Sequence, residues 1–102
     1  MTYSHFVKKC KDVVLIAIER EHDWESIDAF QKHINSIYDS LHITWFSKTL
    51  QNHKALVMST DSLFDNIYWE VTYNGDTNKY YVDKYKKQSN TVILGADIDE
   101  TM

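Results

Sequence analysis

Hydrophobic residues recur at three- and four-residue steps through the first forty positions, and at every second position beyond His42. That change of period divides the chain into a helical half and a sheet half. Ser4 to Arg20 predicts a helix, with Ser4 as N-cap and Phe6, Cys10, Val13, Val14 and Ala17 along one face. The Val13-Val14-Leu15-Ile16 run is apolar nearly all round, which predicts burial on more than one side. Glu21-His22-Asp23 reads as a connector, with Asp23 able to cap a second helix over residues 24–41. Its stripe is Ile27, Phe30, Ile34, Ile37 and Leu41. So short a connector predicts antiparallel neighbours, a helical hairpin.

The second half predicts strands over 43–47, 55–60, 67–73, 79–85 and a short fifth at 91–94. Asn74-Gly75 stands between two aromatic, β-branched runs, and its tolerance of positive φ predicts a tight hairpin there. Within 67–73, Ile67, Trp69, Val71 and Tyr73 share one face, whereas Tyr68, Glu70 and Thr72 share the other. Helices followed by a meander predict an α+β fold: an N-terminal antiparallel helical hairpin on a four- to five-stranded antiparallel sheet. The Ile67 face should meet the helices and the Tyr68 face should be partly solvated. Residues 1–102 read as one domain ending in an acidic tail, 95–102.

Composition fits this picture. Hydrophobic residues make up 43% and aromatic ones 14%, enough for an unaided core. Two glycines and no proline predict short turns. The single cysteine, Cys10, excludes an internal disulfide and points to a reducing cytoplasm. No apolar run approaches the roughly 18–20 residues of a membrane span, and no signal peptide is expected. The net charge of −4 is uneven: −2 over residues 1–41, +1 over 42–94, and −3 in the tail from Asp97, Asp99 and Glu100. An acidic whole argues against general nucleic-acid binding, which neutralises phosphates.

Four constellations could carry chemistry. Cys10 lies on an apolar stripe with no glycine elbow or paired acid nearby in sequence, so an enzyme is not expected. His5, Cys10, His33 and His42 could be drawn together by a helical hairpin into a zinc site, although none has close ligand spacing. A core cysteine with solvent-facing histidines is the favoured alternative, and no cofactor is expected. Tyr80, Tyr81 and Tyr85 interleave with Lys79, Lys84, Lys86 and Lys87, which suits base stacking with phosphate contacts or, more simply, a lysine-protected strand. Glu21, Asp23, Glu25 and Asp28 form an acidic patch that could enter a basic groove, or simply solvate a helix start.

SKTLQNHKAL at Ser47–Leu56, YWEVTYNGD at Tyr68–Asp76, YVDKYKK at Tyr81–Lys87 and the opening FVKKCKDVV at Phe6–Val14 resemble a small family. That family is found in phages and prophages of Gram-positive bacteria. It supplies no catalytic residues, and the resemblance implies an accessory protein of the anti-CRISPR type. The expected function is then a non-enzymatic inhibitor, in the cytoplasm of an infected bacterial host, that binds and blocks a defence factor such as a CRISPR effector nuclease. Its expected contacts are the acidic patch, Tyr68 and the Tyr81–Lys87 segment. The alternative is a small nucleic-acid-binding accessory protein of phage replication using the tyrosine–lysine strand. An unpaired edge strand leaves monomer or homodimer open.

Overall fold

The computed structural model describes residues 2–21, 27–50 and 52–101. Helices α1 (Tyr3–Glu21) and α2 (Ile27–Ser40) precede strands β1 (Leu41–Thr49), β2 (Asn52–Ser59), β3 (Ile67–Asn74) and β4 (Lys79–Lys86). A single 3-10 turn, Ser62–Phe64, joins β2 to β3, and a short helix α3 (Gly95–Thr101) ends the chain. The strands form one antiparallel sheet in sequence order, so the architecture is α+β. The connector between α1 and α2, including His22 and the predicted cap Asp23, lies outside the described residues.

Helix α1 is capped two residues earlier than expected. Thr2, not Ser4, takes the role: its Oγ1 accepts from the His5 amide at 3.2 Å and its carbonyl from Phe6 at 3.0 Å. One stripe of α1, Phe6, Cys10, Val14, Leu15 and Ile18, is buried. It packs on the sheet face made by Ala55, Val57, Trp69 and Val71, which the ladder aligns as Ala55 with Val71 and Val57 with Trp69. Ile37 and Leu41 extend this core from α2 and the start of β1, and Phe64 closes it edge-on against Trp69 at 5.5 Å. The two helices meet where Lys11 Nζ lies 4.0 Å above the Tyr38 ring. At the centre of α1 Val14 and Leu15 are buried and Val13 packs against the core, while Ile16 remains exposed.

No loop separates α2 from β1, and serines bind the junction to the sheet. Ser40 Oγ donates to the Ile37 carbonyl at 2.6 Å, so it accepts from Ser59 Oγ at 2.7 Å. Ser59 Oγ in turn accepts from the Asp61 amide, and the Thr60 amide donates to the Ser40 carbonyl.

The turns depart from the sequence expectation. The β3–β4 hairpin does not close on Asn74-Gly75. Its ladder ends at Asn74–Lys79, no glycine has positive φ, and the left-handed residue is Asn78 at φ 52°. Asn74 instead accepts from the Asp76 amide, and Tyr73 Oη donates to Asn78 Oδ1, which pins a four-residue loop. Between β1 and β2, pairing runs to Thr49–Asn52, beyond the predicted ends, and Leu50 adopts φ 54°. The fifth strand does not form. Residues 87–94 have no regular secondary structure and are exposed throughout, and residues 95–101 are helical rather than a free tail. The radius of gyration is 17.0 Å, against about 13 Å for a compact chain of this length, as a projecting C-terminal arm requires.

Ser40→Ala leaves the partly buried Ser59 hydroxyl without its acceptor and should cost about 1–3 kcal/mol in urea unfolding. Leu50→Asn relieves a left-handed leucine and should stabilise by up to about 1 kcal/mol, seen as a raised Tm.

Candidate binding surface

One sheet face is packed beneath α1; the other carries an aromatic and aliphatic group that stays accessible. A bulge in β1 decides part of its membership. Pairing shifts between Ile43 and Trp45, leaving Thr44 as the extra residue, with its Oγ1 donating to the Leu56 carbonyl at 3.4 Å. The shift lets both Ile43 and Phe46 pack against the core. Trp45 therefore turns outward beside Leu56 and is 47% exposed. Across the ladder the same face continues through Met58 opposite Tyr68, then Tyr68 opposite Tyr85, with Tyr81 opposite Thr72.

Tyr68 and Tyr85 stack with centroids 5.0 Å apart and planes 13° from parallel. Trp45, Met58, Tyr81 and Tyr85 are all exposed. Between them Lys54 Nζ meets Glu70 at 3.4 Å, and Asp83 stands opposite Glu70 on β4. Glu70 first, then loss of solvent, Asp83 and Tyr68, push the Tyr85 phenol above its ordinary range, while Lys54 opposes them. A shallow depression of about 350 Å³ opens nearby, lined by Ser47, Thr49, Asn52, Lys54, Thr72 and Tyr81 among others. Large rings with polar tips, arranged on a rigid sheet, suit contact with a macromolecule.

The residues singled out from sequence separate into groups. Tyr68, Tyr81 and Tyr85 do share one face, and Lys87 follows them by strand alternation. Lys84 and Lys86 point the other way. Lys84 pairs in the ladder with buried Trp69, and its Nζ reaches Glu21 Oε1 at 2.8 Å. The tyrosine–lysine strand is thus not a single stacking platform with phosphate clamps. Glu21 ends α1 and is engaged by Lys84, Asp23 and Glu25 lie outside the described residues, and Asp28 is the second residue of α2.

The proposed zinc ligands are not assembled. Cys10 faces the core with no exposure, whereas His5, His33 and His42 are exposed. Among the described residues no group of three or more His, Cys, Asp or Glu side chains is placed to hold a metal ion. Burial pushes the Cys10 thiol up to about 12, so it is protonated at neutral pH. The expectation of solvent-facing histidines fails at His53, which is buried among Phe6, Phe46 and Tyr73 at 5.0 to 6.1 Å. Its alternation with Ala55 and Val57 on β2 was the sequence signal for that position.

Comparison with known proteins places the chain in a family. The pattern of a family of unknown function, DUF6275, matches residues 7–95, and the chain belongs to that family. The matched span includes α2 and all four strands and ends at the first residue of α3. No curated protein and no solved structure was found to match.

The buried thiol gives a pH signature. Its folded pKa lies above the unfolded value of 9.0, so the stabilising preference for the protonated form is complete below that value. It should be lost as pH rises from 9.0 towards about 12. Urea unfolding should therefore show wild type losing stability over that range faster than Cys10→Ala, and native protein should react slowly with thiol reagents at neutral pH.

Proposed function

We propose that this family member is a non-catalytic binding protein that covers a surface of a macromolecular partner with its open sheet face. In its specific form, the partner is a host defence protein blocked during phage infection, a CRISPR effector nuclease. The observation that carries the reading is the exposed set Trp45, Met58, Tyr81 and Tyr85 on a sheet rigidly backed by α1. Tyrosine and tryptophan bury large area at small entropic loss, so they are the usual anchors of protein interfaces. The charge arrangement favours a protein partner over nucleic acid. Lys84 and Lys86 lie on the helix side, and Glu70 and Asp83 sit among the rings, where phosphates would be repelled. The phage context comes from the sequence resemblance.

The test is a pull-down of tagged protein from lysate of a CRISPR-bearing Gram-positive host, with and without nuclease treatment, read by mass spectrometry. A near-stoichiometric effector should survive nuclease treatment. Trp45→Ala with Tyr85→Ala should reduce its capture by about 10-fold or more, because both side chains are exposed and the fold does not depend on them. Recovery of nucleic-acid-dependent proteins alone would overturn the inhibitor and establish a small nucleic-acid-binding accessory protein of phage replication in its place.

A further inference from the structure

Beyond β4 the chain adds no further strand to the sheet. The Lys87 amide donates to the Asn66 carbonyl at 2.7 Å, which prolongs the β3–β4 ladder by one step before regular structure stops. Residues 88–94 are then exposed, including Val92, Ile93 and Leu94 at 78%, 64% and 63%. Three consecutive large aliphatic residues on a segment without regular structure are costly to leave in water. Thr91-Val92-Ile93-Leu94 also has strong strand propensity without a strand to pair with.

The molecule carries a matching receptor. Strand β4 is the last in the sheet, so among the described residues its outer edge is unpaired. Between that edge and α1 lies a groove of about 280 Å³, lined by Val13, Ile16, Ala17, Arg20, Tyr80 and Val82. Ile16, 46% exposed, is the apolar residue that α1 leaves uncovered above it. A strand laid along β4 presents alternate residues to the two sheet faces. Val92 and Leu94 would enter the groove, while Ile93 would lie beside Tyr81 and Tyr85 on the open face. The charges agree as well. Residues 79–87 hold Lys79, Lys84, Lys86 and Lys87 against Asp83, a net of +3, and Arg20 adds to them. The arm beyond Leu94 holds Asp97, Asp99 and Glu100, a net of −3.

We propose that the occupant is a second copy of this chain: two protomers exchange C-terminal arms, each adding residues 91–94 as a strand along the other's β4 edge. Within one protomer residues 88–94 stay exposed and unpaired with their own edge, which favours exchange over return. The exchange is isologous, each copy giving and receiving the same contact, so the assembly closes as a dimer. It uses the edge of β4 and leaves most of the open face, Trp45 and Met58 included, to the partner proposed above. Failure of either reading leaves the other intact.

Sedimentation equilibrium on the full chain tests this. It should show a dimer that weakens with added salt. Val92→Asp with Leu94→Asp, and separately Ile16→Glu, alter exposed residues, and each should raise the dimer Kd at least about 100-fold with unchanged circular dichroism. Deletion of residues 88–102 should give a monomer. The decisive arm mixes the two variants: one retains a groove and the other an arm, so an equimolar mixture should recover heterodimer. A full chain monomeric at about 100 μM overturns the proposal, whether its arm is free or folded onto its own edge. So does a dimer that survives the arm deletion, or a mixture that stays monomeric.

Discussion

The sheet is held by packing on one face only, and most other features follow from that asymmetry. Four strands make a surface roughly 15–20 Å wide, which two helices of about 10 Å diameter can cover once. The stripe Phe6, Cys10, Val14 and Ile18 supplies much of that cover, set against Ala55, Val57, Trp69 and Val71. Each large side chain fully buried there contributes on the order of 1.5–3 kcal/mol. Among the described residues α3 contributes no side chain to the core cluster. The second face instead carries exposed rings.

A face without cover can be made polar, as in most half-buried sheets, or can keep apolar groups for another molecule. Here both solutions occur side by side. Lys54 and Glu70 pair across β2 and β3, and Asp83 lies opposite Glu70, so the centre of the face is charged. Around it stand Trp45, Met58, Tyr68, Tyr81 and Tyr85. The Thr44 bulge is what adds Trp45 to this set, because strict alternation would have placed it with Ile43 against the core. Bulges that redirect one large side chain are often found at binding surfaces. The arrangement combines a charged centre with exposed rings around it.

Residues whose environment is set by local period were legible in the sequence. The alternation of Ile67, Trp69 and Val71 against Tyr68, Glu70 and Thr72 is the observed division between core and open face. The stripe Ile34, Ile37 and Leu41 likewise packs into the core. Where several conformations satisfy the same local pattern, the sequence was less informative. Asn74-Gly75 is a sound hairpin dipeptide, yet side-chain bonds from Asn74 and Tyr73 hold a longer loop with Asn78 left-handed. Leu50 gives no turn signal, and its conformation is imposed by strands that continue pairing to Thr49 and Asn52. For the histidines, spacing alone carried no burial information: His53 is enclosed by aromatic rings, whereas His5, His33 and His42 face solvent, away from Cys10.

The missing fifth strand is a different kind of discrepancy. Strand propensity describes how well side chains suit a pleated, half-buried surface, and the backbone still needs a neighbour to receive its hydrogen bonds. Thr91 to Leu94 satisfies the side-chain condition within the sequence, but within one protomer the segment stays exposed and has no neighbouring strand. The local code and the tertiary path therefore disagree at one place only a few residues long. In a chain whose other strands all find partners, such a disagreement marks where the fold is incomplete as an isolated molecule. The apolar arm and the mixed groove beside β4, where Val13, Ile16 and Val82 meet Arg20 and Tyr80, are the two halves of that incompleteness, and the opposite charges beside them give the pairing its polarity.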